Sequence, residues 1–148
     1  LRRPDRTILV VRAATRGLAR RHHERLASSA GALKRRRGGR FETERALELV
    51  ERLVSDYLPL LDGGGDAQAR SVFTTSEYSA NESETTRASK RAMDLRTFEY
   101  EGEQVTFLRH LRIGNAPSSR EGWRCYFHHD PERKKIVIGH CGEHLDLR

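Results

Sequence analysis

Arginines, histidines and a tyrosine alternate in short runs near the C-terminal end of the chain. His110 and Arg112 are two apart, and so are Arg124, Tyr126 and His128. In an extended strand, residues two apart share one face. Each run therefore carries a basic, ring-bearing face. Arginine can hold a phosphate through its fork of N–H donors. A tyrosine ring can stack on an unpaired base, and histidine can move a proton near neutral pH. His140 and His144 follow at the end of the chain. Such a face suits a polyanion and implies no cofactor.

Cys125, His128, Cys141 and His144 have the spacing C-x2-H-x12-C-x2-H, which on paper resembles a zinc site. Residues three apart on a strand point to opposite faces, so Cys125 and His128 are not expected to share an ion, and no metal is assigned. Cys125 reads as a small buried apolar residue. Gly63-Gly64-Gly65 follows a helix and lacks the Lys-Ser/Thr of a phosphate-binding loop, so it reads as a linker.

The elements that must position these groups read as follows. Leu95–Tyr100, Gln104–Ile113, Trp123–His129 and Lys134–His140 alternate as four strands. Their connections are Glu101-Gly102, residues 114–122, and Asp130-Pro131-Glu132-Arg133. Val105, Phe107, Leu111 and Ile113 fall on one face, as do Trp123, Cys125 and Phe127. That apolar face is expected to pack on helices, leaving His110, Arg112, Arg124, Tyr126 and His128 toward solvent.

Upstream, residues 4–29 read as a basic helix. Residues 42–61 read as an amphipathic helix on Ala46, Leu47, Val50, Leu53, Val54, Tyr57, Leu58 and Leu61, ended by Pro59 and the glycines. Asp66–Phe73 reads as a short third helix, and 74–94 as a polar loop. The expected fold is α+β: an N-terminal helical hairpin followed by a four-stranded antiparallel sheet. Three segments result: a basic helical arm (1–61), a short helix with a polar loop (62–94), and a sheet (95–148). Helices and sheet form one compact unit.

The chain has 148 residues and a net charge of +7. Residues 1–40 carry +11, 41–94 carry −5 and 95–148 carry +1. The positive charge lies in the arm, where Arg12, Arg16, Arg20, Arg35, Arg36 and Arg37 can attract a phosphate backbone. No apolar stretch is long enough to span a bilayer, and no secretory leader is evident. The expectation is a cytoplasmic protein with no membrane partner. Arginine outnumbers lysine 24 to 4, as in a high-GC bacterial genome.

Residues 98–147 resemble the C-terminal sheet of the RelE/ParE superfamily of bacterial toxins. Trp123-Arg124-Cys125-Tyr126-Phe127 matches the arginine-bearing strand of that family. Lys134-Lys135-Ile136-Val137-Ile138 matches the following strand, and Gly139-His140 its tail. RelE-type members cleave ribosome-bound mRNA by in-line attack of the ribose 2′-OH, whereas ParE-type members act on gyrase. The resemblance implies a RelE/ParE-like fold, RNA as partner, and an antitoxin or other protein partner. It implies endoribonuclease chemistry in which Arg124 stabilises the phosphorane-like charge. His110 and Arg112 would help hold the phosphate, and His140 or His144 would move the proton. The chain departs from the family in three places: His144-Leu145 stands where a terminal Tyr is common, and neither the basic arm nor residues 62–94 has a counterpart. The competing expectation is a non-enzymatic nucleic-acid or protein interaction module, an accessory subunit of a toxin–antitoxin or defence assembly.

Overall fold

The fold was obtained as a computed structural model that describes residues 9–12, 39–114, 122–143 and 145. Helix α1 (Gly39–Arg52) runs into a π-helical turn (Leu53–Tyr57) and on into α2 (Leu58–Gly64). The buried residues Ala46, Leu49, Val50, Leu53, Val54, Tyr57 and Leu58 recur every three or four positions and make one apolar stripe. Pro59 does not end this helix, as the sequence suggests. In the π turn, the Leu58 N–H bonds the Leu53 carbonyl, five residues back. The wider turn stands just before Pro59, whose ring crowds a carbonyl four residues back and which lacks an N–H. The helix continues to Gly65, whose φ of 91° breaks it.

A short helix α3 (Asp66–Ala69) and a 3-10 turn (Arg70–Val72) follow, close to the expected third helix. The next stretch is not a loop. It holds strand β2 (Tyr78–Ser79) and helices α4 (Glu84–Ala88) and α5 (Lys90–Leu95). Ser83 and Ser89 cap these helices, each accepting a backbone N–H three residues on. A polar composition hid two real helix starts.

The strands are all antiparallel. β1 (Leu9–Arg12), β2, β5 (Arg109–Ile113), β6 (Trp123–Asp130) and β7 (Lys135–Glu143) form a five-stranded sheet in the order β1-β7-β6-β5-β2. β3 (Thr97–Tyr100) and β4 (Glu103–Thr106) form a separate ribbon. The mixed helix-and-sheet class is as expected. However, residues 9–12 are an edge strand on β7 and not part of a helix, and the expected second strand breaks at 107–108. Glu101 and Gly102 make the ribbon's turn, both with positive φ (52° and 81°), the conformation a two-residue hairpin favours.

One face of the sheet packs on α1 and α2. Leu111, Trp123, Cys125, Phe127, Ile136 and Ile138 meet the helix stripe there, and the Tyr57 ring stands edge-on to Phe127 at 5.7 Å. The other face is covered by the ribbon. Phe98, Tyr100 and Phe107 pack on Tyr126 and Val137, and the Tyr100 hydroxyl donates to Asp130 at 2.8 Å. Phe107 thus lies opposite the face that strand alternation assigns it, because the chain turns out of line after β4. Among the described residues, no helix is long and apolar enough to cross a membrane.

A bulge sets the ribbon's seat. Tyr126 pairs with His140 and Phe127 with Ile138, so Gly139 is the extra residue. A Cβ on Gly139 would lie 2.6 Å from the Phe98 ring. Gly139→Ala should therefore push the ribbon off the sheet and destabilise the fold by about 1–3 kcal/mol. Denaturant unfolding would measure this, and an unchanged midpoint would show that the ribbon does not bear on this glycine.

Candidate active site

Strand register gathers the residues marked by the sequence into two rows. His110, Tyr126 and His140 face one another across β5, β6 and β7, and Arg112, Arg124 and Gly142 form the next row. The His110 and Tyr126 rings are 4.8 Å apart, and Tyr126 and His140 are 6.3 Å apart. These residues do share a face, but it is not an open one. Tyr126 is 1% exposed, and His110 and Arg124 are each 5% exposed. The ribbon and the segment around α4 and α5 lie over Tyr126. Tyr126 is thus not a platform for stacking a base.

The buried Tyr126 hydroxyl is held by two residues that sequence reading left in a loop or a strand start, Glu82 and Arg96. It donates to Glu82 at 2.5 Å and accepts from Arg96 Nη2 at 3.1 Å. Arg96 is fully buried. Its Nε pairs with Glu82 at 2.5 Å, its Nη1 donates to the Ala92 carbonyl, and its guanidinium lies 5.0 Å from the Tyr126 ring centre. Burial alone would raise the Glu82 pKa, but the Tyr126 hydroxyl and Arg96 outweigh it and hold it below its ordinary value. Burial and the Glu82 carboxylate push the Tyr126 phenol well up. The Ser83 and Ser89 caps were the sequence signal that could have placed Glu82 and Arg96 beside structured helices.

His110 bonds the Leu108 carbonyl through Nδ1 at 3.0 Å. A carbonyl accepts only, so Nδ1 carries the proton and Nε2 is left as the acceptor. Burial lowers the His110 pKa, against the opposing effects of that carbonyl and Glu82. Near pH 7 it is the neutral base form.

The two arginines of the second row are held by backbone carbonyls. Arg124 Nη1 donates to Trp123 O at 2.8 Å and Ile113 O at 3.2 Å. Arg112 donates to Ser76 O at 2.9 Å and Thr75 O at 2.7 Å. Among the described residues neither makes an ion pair. Two neighbouring guanidinium groups are thus fixed by dipoles without an ion-pair partner among the described residues, a disposition that suits an anion. His140 is only partly buried, and its Nε2 meets the Glu143 carbonyl at 2.7 Å.

His128 shares the face but lies farther along, stacked on Phe107 at 5.5 Å, away from the arginines. Cys125 and Cys141 stand together on the opposite, helix-side face, so the structure does not bring His128 to the cysteines. Among the described residues no group of three or more His, Cys, Asp or Glu is placed to hold a metal ion. Arg12 lies in β1, opposite Lys135. His144, Arg16, Arg20, Arg35, Arg36 and Arg37 lie outside the described residues.

Breaking the network from one side should be costly. Arg96→Met leaves a buried carboxylate unpaired and should cost about 3–5 kcal/mol. The triple change Glu82→Leu, Arg96→Met and Tyr126→Phe removes every partner and should restore much of that loss. Denaturant unfolding of both variants decides it, and equal losses would reject the network. Stability should also fall with acid. Below about pH 6.5 the unfolded His110 binds a proton that the folded state resists. Below about pH 4.5 the same holds for Glu82. In each window stability decreases as pH falls, by at most about 1.4 kcal/mol per pH unit and group. His110→Phe should reduce the slope in the upper window, leaving the share of His128, whose pKa burial also lowers, and should leave the lower window in place.

Comparison of the chain with protein families, with curated proteins and with solved structures gives no match.

Proposed function

We propose that the protein binds RNA at the Arg112–Arg124 end of its sheet and cleaves it by attack of the ribose 2′-OH on the adjacent phosphate. The observation that carries this reading is the pair of guanidinium groups held by carbonyls, with no ion-pair partner among the described residues, beside a row of His, Tyr and His. In the reaction, the proton of the 2′-OH passes to a histidine, and the oxygen attacks phosphorus. The 5′-oxygen then leaves with a proton. The products are a 2′,3′-cyclic phosphate and a 5′-hydroxyl. His110, neutral and with Nε2 as acceptor, suits the base, and His140 at the rim suits the acid. Arg112 and Arg124 balance the charge that grows on the phosphoryl oxygens. The resemblance of residues 98–147 to the RelE/ParE sheet, and the charge of the 1–40 arm, point the same way. On this reading the fold is RelE/ParE-like and an antitoxin-type protein is a partner.

A second reading rests on burial. With His110 and Arg124 each 5% exposed, this end of the sheet binds without cutting, as the nucleic-acid or protein interaction module of an accessory subunit.

Incubation with labelled single-stranded RNA in EDTA, at low and moderate salt, separates the two. Cleavage to cyclic-phosphate ends is expected. Arg124→Ala should slow it by about 10²–10³-fold, and His140→Ala should slow it without weakening binding. Salt-sensitive binding without cleavage favours the second reading. Neither binding nor cleavage overturns the first.

A further inference from the structure

The chain has two cysteines, Cys125 and Cys141. Both are free thiols, and they are direct partners across β6 and β7. Antiparallel partners have Cα atoms about 4.5–5.5 Å apart, inside the roughly 4.4–6.8 Å that a disulfide spans. Both side chains point to the helix-side core, where Cys125 is fully buried and Cys141 only partly so.

The two sulfurs are not equivalent. The neighbouring Cys141 sulfur, together with burial, holds the Cys125 thiol well above its ordinary pKa, whereas Cys125 beside it lowers the less buried Cys141. A second neighbour of Cys141 is independent of that pair. The indole Nε1 of Trp123 is buried and has no hydrogen-bond acceptor among the described residues, and it stands near enough to Cys141 to favour the thiolate there. A thiolate at Cys141 would satisfy this otherwise orphaned N–H, whose unmet burial is costly. The arrangement is that of a reactive thiol with a resolving thiol beside it.

We propose that Cys125 and Cys141 are a reactive dithiol that a peroxide converts to a cross-strand disulfide. The Cys141 thiolate attacks one peroxide oxygen. The O–O bond breaks, and the leaving hydroxide takes up a proton as water. The product at Cys141 is a sulfenic acid. The Cys125 sulfur then attacks the Cys141 sulfur, and the sulfenic oxygen leaves as a second water with the Cys125 proton. Two thiols are oxidised by two electrons, and hydrogen peroxide is reduced to two waters.

The new bond would lie directly beneath the candidate site. Cys125 stands between Arg124 and Tyr126, and Cys141 between His140 and Gly142. Its formation does not depend on what the opposite face binds.

The test uses the full chain, reduced and then treated with hydrogen peroxide, alkylated without denaturation, digested and weighed. The expected product is a monomer lighter by two hydrogens, with the Cys125 and Cys141 peptides linked. In Cys125→Ala the resolving thiol is gone, and a dimedone-trappable sulfenic acid should persist at Cys141. In Cys141→Ser the buried Cys125 should resist oxidation. Trp123→Phe should shift the pH midpoint of Cys141 alkylation upward. Should either cysteine variant fail to fold, the wild-type linkage map and the Trp123→Phe pH profile still decide. The proposal is overturned if both thiols survive peroxide that fully oxidises glutathione. It is equally overturned if Cys141 is over-oxidised without linking to Cys125, or if the product is an intermolecular dimer.

Discussion

The hydroxyl of Tyr126 is the point on which the arrangement turns. It sits on the central part of β6, a strand whose residues 123–127 are all buried. Helices cover one face of that strand and the ribbon the other. A hydroxyl so placed must find partners within the chain. Glu82 and Arg96 supply them, and each comes from a segment flanking α4 or α5. Arg96 in turn takes the Ala92 carbonyl of α5. The Arg96 carbonyl accepts the Phe107 N–H at 2.8 Å, at the exit of the ribbon. One buried phenol thus ties the polar middle segment, the ribbon and the main sheet together.

A second clamp does similar work on the helix side. Glu77 accepts from the guanidinium of Arg45 on α1, from Arg52 at 3.3 Å and from the Thr74 N–H at 3.0 Å. Burial would raise its pKa, but these donors outweigh it and lower it. The Glu77 carbonyl also receives the Arg112 N–H at 2.8 Å. The loop that holds the Arg112 guanidinium is therefore itself anchored to α1. Arg112 inherits its position from a salt bridge more than thirty residues earlier in sequence.

Legibility followed the local strength of each signal. The helix after residue 41, the Glu101-Gly102 turn and the strands around Trp123 and Ile136 announce themselves through period and turn chemistry. The α+β class and the shared face of His110, Arg112, Arg124 and Tyr126 followed from them. What covers that face did not, because alternation sorts side chains by face and is silent about the neighbour on each face. Residues 74–94 looked like a loop because α4 and α5 bury little, chiefly Thr86 and Ala92, and so show no apolar stripe. Residues 9–12 show the opposite failure. Leu9-Val10-Val11-Arg12 pairs with β7, yet in sequence it merges with an arginine-rich run of helical appearance. Short apolar runs do not tell strand from helix without the partner strand.

The placement of Arg124 rests on partial charges alone among the described residues. Its row partner on β7 is Gly142, which has no side chain to stand against it, and a Cβ on Gly122 would lie 3.1 Å from its Nη1. Glycine at 122 leaves room for the guanidinium where a larger residue would crowd it. The carbonyls of Trp123 and Ile113 fix its direction but carry only partial charge. Burial accordingly pulls its pKa below the ordinary value, with Arg112 adding to the effect from the neighbouring strand. A full negative charge at this end of the sheet would relieve both effects. That is the physical reason why the proposed anion would be drawn to Arg124.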